Sequence, residues 1–225
     1  MKGKLYVVGG PIGNLEDITL RAIRILGEVE IVLCEDTRRA RILMDKYGIE
    51  KKLVSFHEHN EERRIPQVKE WLKSGLGVAL LSDSGMPTIQ DPGFRLVRAL
   101  RIEGFEIISI PGPSSVTAAL SISGLPTDRF VYEGFLPKRK GRRQKRLQFL
   151  KDDERTIVIF VPVHNIESIL NEILEVFGDR EVAICRELTK IHEEVIFGRL
   201  SEVISKIKGK RGEFVAVIGG KSERP

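Results

Sequence analysis

The first half of the chain alternates short apolar segments with amphipathic ones. Apolar segments of strand length lie at 4–10, 30–34, 52–56, 77–82 and 105–110. Segments with helical periodicity separate them, at 17–27, 35–48, 60–74 and 94–103, with Asp17 as the expected N-cap of the first. Buried strands that alternate with helices are typical of parallel sheets. This half is therefore predicted to fold as an α/β domain around an open, mostly parallel sheet.

The alternation stops at Pro-Gly-Pro-Ser-Ser, residues 111–115. We place a domain boundary there, giving an N-terminal domain at 1–112 and a C-terminal domain at 113–225, with a connecting helix from Ser114 to about Ser123. Strands are predicted near 130–134, 156–162, 181–187, 192–197 and 213–219, and helices near 165–176 and 200–208. The third and fourth strands are close enough in sequence to form a hairpin. The second domain is thus predicted to be a mixed α+β sheet.

Several classes of protein are disfavoured. The turn after the first strand is GGPIGN, without dinucleotide-binding spacing, and no phosphate-binding P-loop motif occurs. No apolar run approaches the roughly 18 residues of a membrane span, and the N-terminus enters a strand pattern directly, so we expect a cytoplasmic protein without membrane contact. Cys34 and Cys185 lie in apolar segments and are expected to be buried free thiols. The four histidines do not combine with them at zinc spacing, so no metal is expected.

Three loops rich in glycine and proline follow predicted strands. They are GGPIGN at 9–14, SDSGMPTIQDPG at 82–93 and PGPSS at 111–115. Ligands of open α/β sheets bind at the carboxyl ends of the strands. Glycine allows a ligand to approach the backbone closely, and proline fixes the loop shape. Each loop alone could be a tight turn, but together they predict a small-molecule site.

A basic run lies at 138–151, where eight residues are Lys or Arg and none is Asp or Glu. The whole chain has a formal net charge of +5, so the rest of it is slightly acidic. Such a run can be a solvated helix face, but it can also neutralise phosphates and bind nucleic acid. The residues expected to contact RNA are Arg142, Arg143, Lys145 and Arg146. Only Phe135 and Phe149 flank the run, so base stacking is not strongly indicated.

Polar clusters follow the second and third strands. Glu35-Asp36-Thr37-Arg38 could cap a helix or belong to a site. His57-Glu58-His59-Asn60 could be a surface loop or contact substrate. Asn14 could cap a helix or order a substrate hydroxyl. In the second half, Lys190 lies between two strands, in a solvated hairpin or in the wall of a pocket.

These motifs together resemble a known family. PIGNLEDIT, CEDTR, HEHN, SDSGMPTIQDPG, PGPSS, LPTDRFVYEGFLPK, ELTKIHEE and GEFVAVI occur in order from residue 5 to 219. The set resembles the bacterial small-subunit ribosomal RNA (cytidine-2′-O)-methyltransferase I family, a branch of the tetrapyrrole methylase superfamily. EDTR and GFLPK resemble this branch in particular.

The resemblance implies a two-domain α/β methyltransferase, usually a homodimer, with S-adenosylmethionine in the cleft between the domains. The residues that it implies for the cofactor are Pro11, Asp83, Met86, Ser114, Ser115 and Val161 in the strand that begins near 156. It also favours substrate contacts for Glu35, Asp36 and Arg38. The chain has Gly10-Pro11 where the family usually has Thr-Pro, and Met86 where it usually has Thr. Near Phe160 to Asn165 it lacks a Glu and an Arg of the family pattern.

The expected reaction is methyl transfer to a ribose 2′-hydroxyl of cytidine in small-subunit (16S) ribosomal RNA, free or in the small subunit. A base must remove the hydroxyl proton. The candidates are Asp36, Glu35 and His57, with Lys190 or Arg38 stabilising the developing oxyanion; Asn14 and Asn60 are further candidates for substrate contact. Two alternatives stay open: methylation of a tetrapyrrole precursor, and a non-catalytic RNA-binding factor for ribosome assembly.

Overall fold

The computed structural model describes residues 2–221. The chain divides into two compact units, Met1–Ser114 and Ser115–Pro225. The division lies two residues after the boundary placed from the PGPSS motif. No helix among the described residues is long and apolar enough to cross a lipid bilayer.

The first unit contains one five-stranded sheet. Its strands are β1 (Leu5–Val8), β2 (Ile31–Cys34), β3 (Lys52–Ser55), β4 (Val78–Leu81) and β5 (Ile107–Ile110). Their order is β3-β2-β4-β1-β5, and every pair is parallel. The prediction of an open parallel α/β sheet is confirmed. Because all the strands run the same way, the loops that follow them lie at one edge of the sheet.

Four helices connect these strands: α1 (Leu20–Glu28), α2 (Thr37–Lys46), α3 (Glu61–Lys73) and α4 (Phe94–Ile102). The predicted N-cap of α1 was wrong. Thr19 is the cap, because its hydroxyl accepts a hydrogen bond from the Ala22 N–H at 3.1 Å, whereas Asp17 ends a short 3-10 helix, Leu15–Asp17. Both residue types can cap a helix, and the extra turn before α1 moves its N-cap by two residues.

The central strands of this sheet are buried on both faces. Every residue of β2 and β4 is buried. Consecutive residues alternate between two apolar clusters, as Leu33 and Cys34 show. This explains why these strands read as continuous apolar runs in the sequence.

The second unit also has a five-stranded sheet, but a mixed one. Its strands are β6 (Phe130–Phe135), β7 (Thr156–Val161), β8 (Glu181–Arg186), β9 (Glu194–Arg199) and β10 (Phe214–Ile218), in the order β6-β7-β10-β8-β9. β6 and β7 are parallel, and the remaining pairs are antiparallel. The predicted hairpin of β8 and β9 and the mixed character of the sheet are confirmed.

The helices of this unit are α5 (Ser115–Ile122), α6 (Lys140–Leu150), α7 (Ile166–Phe177) and α8 (Leu200–Ile207). No helix was predicted at α6, because the segment has little apolar periodicity. Two leucines supply its buried face, Leu147 and Leu150. They join α7, α8 and one face of the sheet in a single apolar core.

Candidate functional site

The three glycine- and proline-rich loops follow β4, β1 and β5, which are neighbours in the first sheet. A Cβ atom on Gly9 would lie 2.7 Å from the Cα of Gly112, so the first and third loops require glycine where they touch. The Gly10 N–H donates to the Gly85 carbonyl at 2.9 Å, which joins the first loop to the second. The structure thus brings the three loops together at the carboxyl edge of the sheet, as predicted.

The loop at 82–93 is held in an unusual backbone conformation. Thr88 and Gln90 have φ angles of 74° and 66°, which residues other than glycine rarely adopt. The Ser82 hydroxyl donates to the Gly85 carbonyl at 2.9 Å and braces the start of the loop. Strain of this kind persists where the surrounding structure fixes it, and it is often found at ligand sites.

Asp83, a predicted cofactor residue, connects this loop to α2. Its carboxylate accepts a hydrogen bond from the Asp36 N–H at 3.1 Å and lies 3.5 Å from the Arg39 guanidinium. The side chain is only 19% exposed. Asp83 therefore has a structural role, and its two oxygens can still accept further hydrogen bonds.

Asp36 and Arg38, both predicted to act in the site, bond to each other. The Asp36 carboxylate caps α2 by accepting from the Arg38 N–H at 2.8 Å, and it accepts two bonds from the Arg38 guanidinium at 3.0 and 2.7 Å. These bonds hold the pKa of Asp36 well below its usual range. A carboxylate so stabilised is a weak base, so the structure does not support Asp36 as the base.

An open pocket of about 640 Å³ lies beside these residues. It is lined by Glu35, Asp36, Thr37, Arg38, Arg39, Ser55, His57, Glu58, His59 and Asp83. Glu35 and His57, the other candidate bases, thus share a pocket with Asp83. Burial and the charge of Asp83 raise the pKa of Glu35, which gives its carboxylate more basic character than an isolated glutamate.

Asp91 was not among the predicted site residues. It lies in the loop at 82–93, and its pKa is raised to about 7 by burial and by the charges of Glu35 and Asp83, although the Ser82 hydroxyl lowers it. These three carboxylates come from segments that follow β2 and β4. Their proximity could be anticipated only from the order of the strands.

His57 and Asn60 form one hydrogen-bonded unit. The Asn60 side-chain oxygen accepts a hydrogen bond from the backbone N–H of His57 at 2.9 Å, and the side-chain nitrogen of Asn60 donates to the Ser55 carbonyl at 3.2 Å. These two bonds fix the orientation of the amide, so the same nitrogen donates to His57 Nε2 at 3.1 Å. Neutral His57 must then carry its proton on Nδ1, which is buried and has no partner among the described residues.

Two predictions change as a result. His57 has no free lone pair in this arrangement, because Nε2 accepts from Asn60, so it is not available as a general base. Asn60 is buried, with 8% of its surface exposed, and its amide is used to hold the loop after β3. The structure therefore gives Asn60 a structural role in place of the predicted substrate contact.

The remaining residues predicted in the first unit differ in exposure. Asn14 is exposed, and its side chain caps the 3-10 helix by accepting from the Glu16 N–H at 3.0 Å. Pro11 and Met86 are partly buried in the converging loops, where the Pro11 carbonyl accepts from the Gly85 N–H at 3.3 Å. Ser114 ends this unit and is partly buried.

Ser115 and Lys190, two of the predicted residues, lie in the second unit. Ser115 is the first residue of α5. Lys190 lies in the turn between β8 and β9, with its amine 3.2 Å from Glu187 and 2.9 Å from Glu213. Burial lowers the pKa of Lys190, but these two carboxylates more than offset it, so the net direction is upward. Glu187 has a φ of 51°. The turn is therefore a strained, ion-paired structure.

Val161 was predicted to contact the cofactor. Its side chain is 2% exposed and belongs to the apolar core beneath the helices of the second unit. Phe160 points to the opposite face, where its ring packs edge-on against Tyr132 and Phe135. The side chain of Val161 thus packs in the core, and its backbone lies at the end of β7.

The basic run contains cations that are ion-paired within the fold and cations that are exposed and unpaired among the described residues. Arg143 makes two bonds to Glu172, at 2.7 and 2.6 Å, and both side chains are almost buried. Arg146 makes two bonds to Glu133, at 2.5 and 2.6 Å. These pairs correct the prediction that Arg143 and Arg146 bind RNA phosphates, because their charges are already neutralised within the fold.

Arg142 and Lys145 are exposed, and no ion pair holds either of them within residues 2–221.

Both cysteines are buried free thiols, as predicted; burial raises the pKa of Cys34 to about 12 and that of Cys185 to about 11. No cluster of three or more His, Cys, Asp or Glu side chains in the described part of the chain could hold a metal ion.

The arrangement of two sheets with converging loops also occurs in known proteins. The sequence model of the family described as Tetrapyrrole (Corrin/Porphyrin) Methylases matches residues 4–204. The chain belongs to the tetrapyrrole methylase family. Two solved structures have the same fold. Cobalt precorrin-4 methyltransferase has a TM-score of 0.70 and 18% sequence identity, over 96% of this chain and 94% of the other. Uroporphyrin-III-C-methyltransferase from Thermus thermophilus has a TM-score of 0.68 and 25% sequence identity, over 97% of this chain and 94% of the other.

Curated relatives within the family are more similar in sequence. Ribosomal RNA small subunit methyltransferase I of Thermotoga maritima is 49% identical over 97% of this chain and 99% of its own length. The Bacillus subtilis protein of the same name is 44% identical over 97% of this chain and 75% of its own length. The predicted family resemblance is confirmed, and this tetrapyrrole methylase is a methyltransferase.

Methyltransferases of this family use S-adenosylmethionine, which confirms the cofactor prediction. The residues of the converging loops fit such a ligand. Gly9 and Gly112 let the first and third loops meet, because a Cβ on either would lie within 2.8 Å of the backbone of the other, so the backbone groups of both loops are held together at this edge. The Asp83 carboxylate has oxygens that can accept hydrogen bonds from hydroxyl or amino groups.

Proposed function

We propose that this methyltransferase transfers a methyl group from S-adenosylmethionine to the 2′-hydroxyl of a cytidine in small-subunit ribosomal RNA. The observation that carries the proposal is the 49% identity, over 97% of the chain, to a relative named for ribosomal RNA. The exposed cations Arg142 and Lys145 on α6 support it, because phosphate binding needs unpaired positive charge on the surface.

The cofactor would be held at the carboxyl edge of the first sheet. We propose that backbone groups of the loops at 9–14 and 111–115 bind it, with Asp83 accepting hydrogen bonds from it. Pro11, Met86, Ser114 and Ser115 keep their proposed places near it. When bound, S-adenosylmethionine supplies an electrophilic methyl group.

The chain's own residues would position the ribose and remove its proton. Among the three predicted bases, Glu35 is the one that the geometry favours. Its carboxylate lines the pocket beside Asp83, it forms no hydrogen bond or ion pair with another described residue, and its pKa is raised. Asp36 and His57 are each occupied by a neighbour. We therefore propose Glu35 as the group that accepts the hydroxyl proton.

A labelled-methyl transfer assay tests the function. The protein is incubated with tritiated S-adenosylmethionine and, in separate reactions, unmodified small ribosomal subunits, free ribosomal RNA and a tetrapyrrole precursor. The expected result is label in ribosomal RNA that resists alkaline hydrolysis, because a 2′-O-methyl group prevents cleavage of the next phosphodiester. Label in the tetrapyrrole alone would refute the RNA substrate. Binding of RNA without transfer to any of the three would favour an assembly factor.

We also propose that the protein acts as a homodimer in the cytoplasm. Sedimentation measures its oligomeric state. A single species of twice the chain mass, 25.4 kDa, is the expected result. A monomer with full activity would contradict it.

A further inference from the structure

We infer that Phe149 is a stacking residue for an unpaired base of the RNA, next to the exposed cations of α6. This inference rests on the proposed function and deepens it, because it specifies single-stranded RNA as the part of the substrate that α6 binds. The ring of Phe149 is 74% exposed on a helix whose other large apolar side chains, Leu147 and Leu150, are buried. Exposing a large aromatic ring has a cost that a purely solvated helix would avoid.

The position of Phe149 places it in line with the free cations. Arg142, Lys145 and Phe149 are spaced by three and then four residues, so they lie on one face of α6, opposite Leu147. An RNA strand that follows this face would meet two cations and then the aromatic ring. Sites for single-stranded nucleic acid combine cations, which bind the phosphates, with aromatic rings, on which the bases stack.

The ring is also held in place. The Arg146 guanidinium lies 4.8 Å from the centroid of the Phe149 ring, and Glu133 fixes that guanidinium through two hydrogen bonds. Because Arg146 is ion-paired, it covers the ring as a fixed group and contributes little free charge. A base that stacked on the exposed surface of Phe149 would meet a ring that the protein has already positioned, which reduces the entropy lost on binding.

The test compares a labelled single-stranded RNA of about 12 nucleotides with its duplex, each titrated against the full chain at several salt concentrations. For Phe149→Ala we expect the affinity for the single strand to fall between about five-fold and a hundred-fold. The salt slope should not change, because no phosphate contact is lost. The duplex should lose little affinity because its bases are already stacked, and Phe149→Trp should restore binding to the single strand.

The double variant Arg142→Gln, Lys145→Gln is the matched comparison. It should weaken both RNA forms and reduce the salt slope for the single strand by about 0.7 for each cation removed. If the double variant behaves so but Phe149→Ala binds the single strand as the parent does, the stacking role is overturned and the α6 interface stands. If neither variant changes binding, the interface itself is wrong. A change in sedimentation with no change in RNA affinity for Phe149→Ala would also overturn the inference, since it would assign the ring to a protein contact.

Discussion

Replacing Asp91 with Asn should make the first unit more stable at neutral pH. The pKa of this carboxyl is raised from 3.8 to about 7. Between about pH 4 and pH 7 the native state therefore binds more protons at Asp91 than the unfolded state does, and the free energy of unfolding must fall as the pH rises. A shift of about three pKa units corresponds to about 4 kcal/mol, and the partial exposure of Asp91 reduces this to about 2 kcal/mol.

The single tryptophan of the chain makes this effect measurable in one unit. Trp71 lies in α3 and packs against one of the apolar clusters of the first sheet. Urea unfolding followed by its fluorescence at about pH 5 and about pH 8 gives the free energy of unfolding of that unit. The parent should lose about 1 kcal/mol over this interval, because part of the full effect already falls below pH 5. Asp91→Asn should lose much less, because the amide does not titrate; Glu35, whose pKa is also raised, accounts for what remains.

Asp45→Asn is the matched control, because it removes an exposed carboxylate from α2 in the same unit. It should retain the pH dependence of the parent. Equal losses of stability in the parent and in Asp91→Asn would refute the reasoning, since the carboxyl group would then ionise without penalty beside Glu35 and Asp83.

Three further predictions concern single side chains. Asp83→Asn keeps an acceptor for the Asp36 N–H but loses its charge, so S-adenosylmethionine binding measured by calorimetry should weaken about ten-fold while Tm changes little; unchanged affinity would remove Asp83 from the cofactor site. Glu35→Gln should lower the rate of methyl transfer by about a hundred-fold with cofactor affinity retained, and an unchanged rate would exclude it as the base. Arg143→Met leaves the Glu172 charge buried without a partner, so it should lower the free energy of unfolding in urea by about 3 kcal/mol. The double variant Arg143→Met, Glu172→Met should recover part of this loss. A single variant as stable as the parent would show that this pair is not buried in solution.

The strands could be predicted because their apolar residues are consecutive. In β2 and β4 every side chain enters one of two cores, so burial alone marks them. The convergence of the three loops also followed from the sequence, because parallel strands place the loops that follow them at one edge. The start of α1 was less certain, since Asp17 and Thr19 can both cap a helix and only the tertiary structure selects Thr19.

The candidate site could be located, but the roles of its residues could not. Asp36 and His57 were reasonable bases by residue type, and the bonds from Arg38 and Asn60 that occupy them depend on side-chain geometry. Asp91 has a raised pKa because Glu35 and Asp83 lie close to it. Such proximity between residues on different strands is a property of the fold, and no local pattern in the sequence reports it.

The basic run shows why a count of charges does not describe a binding surface. Arg142 and Arg143 are adjacent, but one turns to solvent and the other to Glu172, because consecutive helical residues are separated by about 100°. The signal in the sequence is an acid at a helix position that should be apolar: Glu172 lies among the buried residues of α7. A buried acid of this kind requires a cation from elsewhere, and the basic run supplies it. The charge that remains for RNA is therefore smaller than the sequence suggests, and the exposed ring of Phe149 gains a larger share of the expected binding energy.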